Sequence, residues 1–301
     1  GMAGPAMIEG GGLGKFDPKE IGPSDIQKNN GVIDYVAEDE KEATIIAKKI
    51  LSYFQGDIKD WKADDQTQLS NIMPKDRRWS YPVRDIIKII SDIEQFTEIR
   101  PEYGKGIVSC FIRIEGKPFG LLANDSQHLG GAIDSEGADK ASSFIEICSE
   151  YGLPIISLVD TPGFMVGPDS EKEGAVRRMS NLFKIGSKVK VPLTAIFLRK
   201  GYGLGAQAMV GGSLHEPVYT AAWPTGEFGA MGLEGAVKLG FKKELEKIED
   251  NSKREELFNS LVEKLYDKGK AIEAAAHLEI DAVINPSETR SVILKSQKAF
   301  V

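Results

Sequence analysis

The chain has 301 residues, 41% of them hydrophobic, enough apolar material for one large domain or two small ones with a sizeable core. Its 45 acidic and 38 basic residues leave a net charge of -7, which argues against a nucleic-acid partner, because such a partner favours a basic face. No apolar run approaches the ~20 residues that span a bilayer, and no basic start leads into an apolar stretch as a secretory signal does.

The first elements are sparse. Gly1 stands before Met2, as expected of a cloning remnant or of the inside of a longer chain. Residues 1–23 are glycine-rich and read as a loop, with Ser24 or Asp25 able to open a short turn. From Glu38 to Tyr53, Ala43, Ile46, Ala47, Ile50 and Leu51 recur at helical spacing and predict an apolar stripe. Residues 57–78 are polar, broken by Pro74, and read as a surface connection. Pro82 then starts a helix with Val83, Ile86, Ile87 and Ile90 on one side.

After Gly104 the pattern becomes strand-rich. The run IVSCFIRIEGKPFGLLAND reads as a hairpin about Glu115-Gly116. A helix from about Ala138 to Tyr151 ends at Gly152 and Pro154. The strand IISLVD, the loop TPGFMVGPDSEKEG and the helix AVRRMSNLFKIGSKV follow. Next come the strand LTAIFLRK, the turn GYGLG, the short helix AQAMV, the strand VYTAAWP and the helix GLEGAVKLGF. The end is mainly helical, with a strand-like DAVINP before a last helix SETRSVILKSQKAF. Strand-loop-helix units in this order predict an α/β fold with mostly parallel strands. Cys110 and Cys148 lie in apolar runs and read as buried, reduced thiols, which fits a reducing compartment.

Two short motifs mislead. Asp160-Thr161-Pro162-Gly163 matches the DxxG of GTPases, but no phosphate loop precedes it. Gly203-Leu204-Gly205-Ala206-Gln207-Ala208 fits the dinucleotide pattern GxGxxA, but Gly211-Gly212 cuts its helix too short for a crossover. Glycines at a strand-to-helix turn instead let backbone approach a ligand, and the first N–H groups of the helix lack internal partners. Two such donors aimed at one oxygen make an oxyanion hole. Gly130-Gly131-Ala132 and Pro162-Gly163-Phe164 follow strands at the same end of the expected sheet, where ligands collect. Ala222-Trp223-Pro224-Thr225 would add an aromatic wall. His128, His215 and His277 have no zinc spacing, and no serine sits in GxSxG, so the site offers backbone donors without a nucleophile.

The ordered set GGAIDSEGADKASSFIEICSEYGLPIISLVDTPGFMVGPDSEKEGAVRRMSNLF, VPLTAIFLRKGYGLGAQAM and AAWPTGEFGAMGLEGAVKLGF resembles the carboxyltransferase β subunit of biotin-dependent acyl-CoA carboxylases, of the acetyl-, propionyl- and methylcrotonyl-CoA type. The resemblance runs from Gly4 to near the end. It implies a crotonase-like fold (the ClpP/crotonase ββα superhelix), present here as a single C-terminal carboxyltransferase domain. Residues 1–24 would be the tail of a missing N-terminal domain, 25–104 a helical lead-in, and 105–301 the core.

The resemblance also implies transfer of carboxyl from carboxybiotin to the α-carbon of a short-chain acyl-CoA. This chain would supply the biotin side, through the N–H groups of Leu204 and Gly205. Gly130, Gly131, Ala132, Pro162, Gly163, Phe164, Tyr202, Gly203, Gln207, Trp223 and Pro224 would line it. Many members have Gly-Gly-Ala where this chain has Gly203-Leu204-Gly205, and propionyl-type members often have an acid at the place of Gln207. The implied partners are acyl-CoA, a biotin carboxylase or carrier subunit holding the biotin cofactor, and further copies of the chain, as a dimer or hexamer. No metal is implied. The implied place is the cytoplasm, or the mitochondrial matrix in a eukaryote. Three other readings remain open: a decarboxylase subunit of the glutaconyl-CoA type, a biotin-independent hydratase or isomerase using Glu227, and a non-catalytic assembly module.

Overall fold

The hairpin forms at the expected place. Glu115 and Gly116 both have positive φ, 51° and 77°, and Ile114 faces Lys117 across the turn. A non-glycine residue in that region is unfavourable; here the Asp92 carboxylate accepts both turn N–H groups, at 3.0 and 2.7 Å, and Arg290 holds that carboxylate at 2.8 Å.

In the computed structural model, which describes residues 2–298, the strands are β1 (Phe96–Ile99), β2 (Ile107–Ile114), β3 (Lys117–Asn124), β4 (Ile155–Thr161), β5 (Leu193–Tyr202), β6 (Tyr219–Ala222), β7 (Glu227–Gly229) and β8 (Ala282–Val283). They form one sheet in the order β1-β2-β3-β4-β5-β6-β8, while β7 pairs with the last residues of β5. β1 to β3 are antiparallel and every pairing from β3 onward is parallel, as the strand-helix alternation predicted. Gly1 and residues 299–301 lie outside the described residues, and with them the reading of Gly1 and the last residues of the final helix.

The labelled helices are α1 (Glu40–Ser52), α2 (Val83–Ile90), α3 (Ser135–Glu150), α4 (Ala175–Gly186), α5 (Gly203–Met209), α6 (Leu233–Gly240), α7 (Asn251–Lys268) and α8 (Thr289–Lys298). Both faces of the sheet are buried. Leu122, Val159 and Phe197 point to one side, where α3 and α4 add Phe144, Ile145 and Leu182. Leu121, Leu158 and Ile196 point to the other, where α2 adds Val83, Ile86, Ile87 and Ile90. Adjacent residues go to opposite faces because a strand has a period of two. Cys110 and Cys148 are buried and unpaired, one on each side.

One expectation is met with a qualification and two need correction. α1 forms, but none of its stripe is fully buried; Ala43, Ala47 and Leu51 are exposed, and the Asp39 carboxylate caps the helix by accepting from Glu42 N–H at 2.7 Å. α3 starts at Ser135 rather than near Ala138, because Asp134 caps it through Gly137 N–H at 2.7 Å. The polar connection 57–78 is not all surface: Leu69 is buried with α2, and Arg77 enters the charged network described below. Among the described residues no helix is long and apolar enough to cross a membrane.

Candidate active site at the carboxyl ends of β3, β4 and β5

Three glycine loops meet beyond the carboxyl ends of adjacent parallel strands. The loop after β3 carries Gly130, Gly131 and Ala132; the loop after β4 carries Pro162, Gly163 and Phe164; β5 runs straight into α5. Ile133 N–H donates to Gly163 O at 3.0 Å, and Met165 N–H donates to Ile133 O at 2.8 Å, joining the first two loops. A Cβ on Gly131 would fall 2.3 Å from the Asp160 carbonyl oxygen, and one on Gly205 would fall 2.7 Å from Gly163 Cα. No side chain fits at either place.

The turn itself needs glycine once more. Tyr202 is extended, and Gly203 has φ 58° at the first helical position. Leu204 and Gly205 follow as the second and third residues of α5, and neither amide has an acceptor among the described residues. The helix dipole adds positive potential there. Leu204 is 64% exposed and Gln207 is exposed, so the open side of α5 faces solvent. The Thr161 hydroxyl donates to Gly163 O and accepts from Gly163 N–H, both at 3.1 Å, which stiffens the neighbouring loop.

Charged groups support the loops from below. The Asp160 carboxylate is fully buried, 2.9 Å from Arg199 Nη2, and accepts Lys200 N–H at 3.1 Å. Lys200 Nζ donates to Gly130 O at 2.5 Å, and burial pulls its amine below the ordinary lysine range against the Asp160 charge. Arg77 lies 2.7 Å from Glu234 and 3.6 Å from Glu227. Burial pushes the Glu227 carboxyl above its ordinary value, against the nearby Arg77 charge. Burial and then the Glu227 charge push the Tyr202 hydroxyl above its ordinary value, and among the described residues neither side chain has a hydrogen-bond partner.

One expected site residue lies elsewhere. Trp223 is no wall of the cleft: it is wholly buried in the core on the α2 side, and its Nε1–H donates to Thr289 Oγ1 at 3.0 Å. Glu227 is 1% exposed, with its carboxylate 3.6 Å from Arg77 inside the charged network. Pro224 is exposed on the turn Trp223–Gly226 that leads to β7, and Tyr202 is buried beneath the glycine turn. His128 makes a long 3.4 Å contact with Asp134, and His215 is exposed. The Asp160–Arg199 pair was missed. Its signal was present: IISLVD and LTAIFLRK are apolar strands that end on opposite charges, and parallel pairing sets such ends side by side.

Comparison with known proteins gives the family of the chain. Residues 15–301 match the carboxyl transferase domain. The methylmalonyl-CoA carboxyltransferase 12S subunit of Propionibacterium freudenreichii subsp. shermanii is 32% identical over 284 residues, covering 90% of this chain and 53% of that subunit. The chain thus spans about half the length of the curated relatives it matches. The structure of a single-chain, multi-domain long-chain acyl-CoA carboxylase superposes with a TM-score of 0.91 at 51% identity, over 98% of this chain and 30% of that one. The transcarboxylase 12S crystal structure, a hexamer, gives a TM-score of 0.87 at 29% identity, over all of this chain and 59% of that one. The single mixed sheet matches these carboxyltransferases, so the crotonase-like fold is the one expected. The chain belongs to the carboxyl transferase domain family.

Proposed function

We propose that this chain supplies the biotin-side half of a carboxyltransferase site in a biotin-dependent acyl-CoA carboxylase. The observation that carries the reading is the pair of adjacent amides, Leu204 and Gly205, at the start of α5, neither of which has an acceptor among the described residues. These residues suit a ureido oxygen: two adjacent N–H donors, flanked by the neighbouring loops, at the positive end of a helix. Carboxybiotin bound there supplies CO2 and a ureido group basic enough to take the α-proton of an acyl-CoA.

The chain's own residues then have defined tasks. Leu204 and Gly205 N–H donate to the oxygen on which negative charge develops. Gly131 and Gly163 keep the turn, the β3 loop and the β4 loop in register. Gln207, exposed on α5 beside the donors, faces the acyl group. Residues 25–301 form this domain, and the acyl-CoA thioester is held by a second carboxyltransferase domain. The biotin arrives on a carrier subunit or domain, and copies of the chain assemble, as the hexameric 12S structure does. Likeness to the long-chain enzyme at 51% identity favours an acyl chain longer than the short one expected from the sequence.

The test is carboxyl transfer to biocytin from labelled malonyl-CoA, methylmalonyl-CoA and a 2-carboxylated long-chain acyl-CoA. Each donor is tried with this chain alone and with an added acyl-CoA-binding carboxyltransferase domain. Biocytin-dependent transfer in the mixture supports the reading, and the preferred donor reports the acyl length. No transfer from a folded, assembled mixture overturns it.

A further inference from the structure

We infer that the buried Asp160–Arg199 pair is a positioning pair for the Leu204–Gly205 turn, an inference that rests on the carboxyl-transfer reading of that turn. The two side chains are 0% and 4% exposed, so neither touches a substrate. They stand where every element of the half-site converges.

Asp160 is the next-to-last residue of β4 and contacts the end of β3, the loop after β3 and the end of β5. Its carboxylate accepts from Arg199 Nη2 and Nε, at 2.9 and 3.2 Å, and from Lys200 N–H at 3.1 Å, immediately before the GYGLG turn. Its own N–H donates to Asn124 Oδ1 at the end of β3, at 3.1 Å. Its carbonyl oxygen fills the space beside Gly131, and Gly163, three residues on, fills the space beside Gly205.

Arg199 ties this junction to a fourth segment. Its Nη1 donates to the carbonyls of Arg77 and Trp79, at 2.8 and 2.6 Å. Its guanidinium also lies over the Tyr81 ring, 5.0 Å from the centroid. Tyr81 N–H donates to Ser126 Oγ at 3.1 Å, so the strap Arg77–Tyr81 is pinned to the loop after β3 as well. A planar guanidinium can hold a carboxylate with one edge and two carbonyls with another; an ammonium cannot.

Burying two charges costs desolvation that their attraction offsets only when the remaining donors are also satisfied. Here Arg199 meets that condition through the strap carbonyls. What the pair adds is a fixed distance between β4, β5 and the strap, at the level where the donor amides are aimed. A displacement of about 1 Å at such a site can lower turnover by about 100-fold.

The test compares Asp160→Asn and Arg199→Lys with Arg290→Lys. Arg290 forms another buried pair with Asp92, 2.8 Å apart, beside the β2–β3 hairpin at the far edge of the sheet. All are assayed under the condition in which the wild type transfers carboxyl to biocytin. Amide exchange is read at Ile133 and Met165, whose bonds join two loops without involving the pair, against Ile156 in the core.

Either Asp160→Asn or Arg199→Lys is expected to lower kcat by about 10–100-fold with KM within about threefold, and to speed exchange at Ile133 and Met165 but not at Ile156. Arg290→Lys is expected to lower Tm yet keep kcat within about twofold. Arg199→Lys keeps the charge, and it carries the test if Asp160→Asn does not fold. Wild-type kcat in folded Arg199→Lys, or an equal kcat loss in Arg290→Lys, would overturn the inference. A wild type without any transfer overturns the carboxyl-transfer reading instead. The exchange comparison then decides the positioning role alone, and unchanged exchange at Ile133 and Met165 overturns it.

Discussion

Gly163 occupies the space that a side chain on Gly205 would need: an ideal Cβ there falls 2.7 Å from both Cα and the carbonyl carbon of Gly163. A substitution at Gly205 therefore changes packing as well as the donor. Gly205→Ala is expected to destabilise the protein by about 1–3 kcal/mol through overpacking. Leu204→Pro is the cleaner probe, because Leu204 already carries a side chain in solvent and proline is tolerated in the first turn of a helix. Losing that one N–H should lower kcat for transfer by about 10²–10³ with the fold retained. Circular dichroism and a transfer assay on the same sample check this; near-normal turnover in folded Leu204→Pro removes the amide from the mechanism.

Trp223→Phe separates a core role from a site role. The change removes the bond to Thr289 and part of a buried ring, which should cost about 1–3 kcal/mol. Turnover per folded molecule should stay within about twofold. A denaturant titration and kcat on the same preparation give both numbers, and a selective loss of kcat would return Trp223 to the cleft.

Glu227→Gln tests whether that carboxyl does chemistry. Its pKa is raised by burial in the folded protein, so the folded state binds the proton more readily than the unfolded one. The stability linked to it is present below the ordinary value of 4.5 and is lost as pH rises through the folded value. The glutamine variant escapes that loss, so its stability relative to wild type should increase as pH rises above that ordinary value. Carboxyl transfer should persist, because Arg77 keeps Glu234 as partner. An enoyl-CoA hydration activity that vanishes in Glu227→Gln would favour the biotin-independent reading.

Lys140 is a buried amine on α3 whose Nζ has no hydrogen-bond partner among the described residues. Burial pulls its pKa from 10.5 to about 8, against the opposing charge of Glu98. Below about 8 the amine is charged in both states and the folded state carries the full penalty. Between about 8 and 10.5 the folded state sheds the proton first, so the penalty fades with rising pH. Lys140→Met should therefore stabilise the protein at pH 7 by about 1–3 kcal/mol. The gain should shrink across that window in urea titrations at stepped pH. A gain that does not depend on pH would show that packing, not charge, is responsible.

Local chemistry was legible from the residues alone. The hairpin at Glu115-Gly116, the Val83–Ile90 stripe, the parallel strand-helix alternation and the glycine turn before α5 all depend on near neighbours in the chain, and all are present. The ordered loops also carried the family, because their joint pattern is specific even though each motif is weak. Tertiary structure decided what such patterns leave open. Parallel strands buried on both faces are apolar throughout, so the run VYTAAWP did not reveal which side Trp223 enters. The same ambiguity hid the burial of Glu227. The Asp160–Arg199 pair joins residues 39 apart, and Arg199 reaches carbonyls more than a hundred residues away. Only strand register and the path of the strap bring those groups together, since a hydrogen bond depends on distance in space and not on distance along the chain.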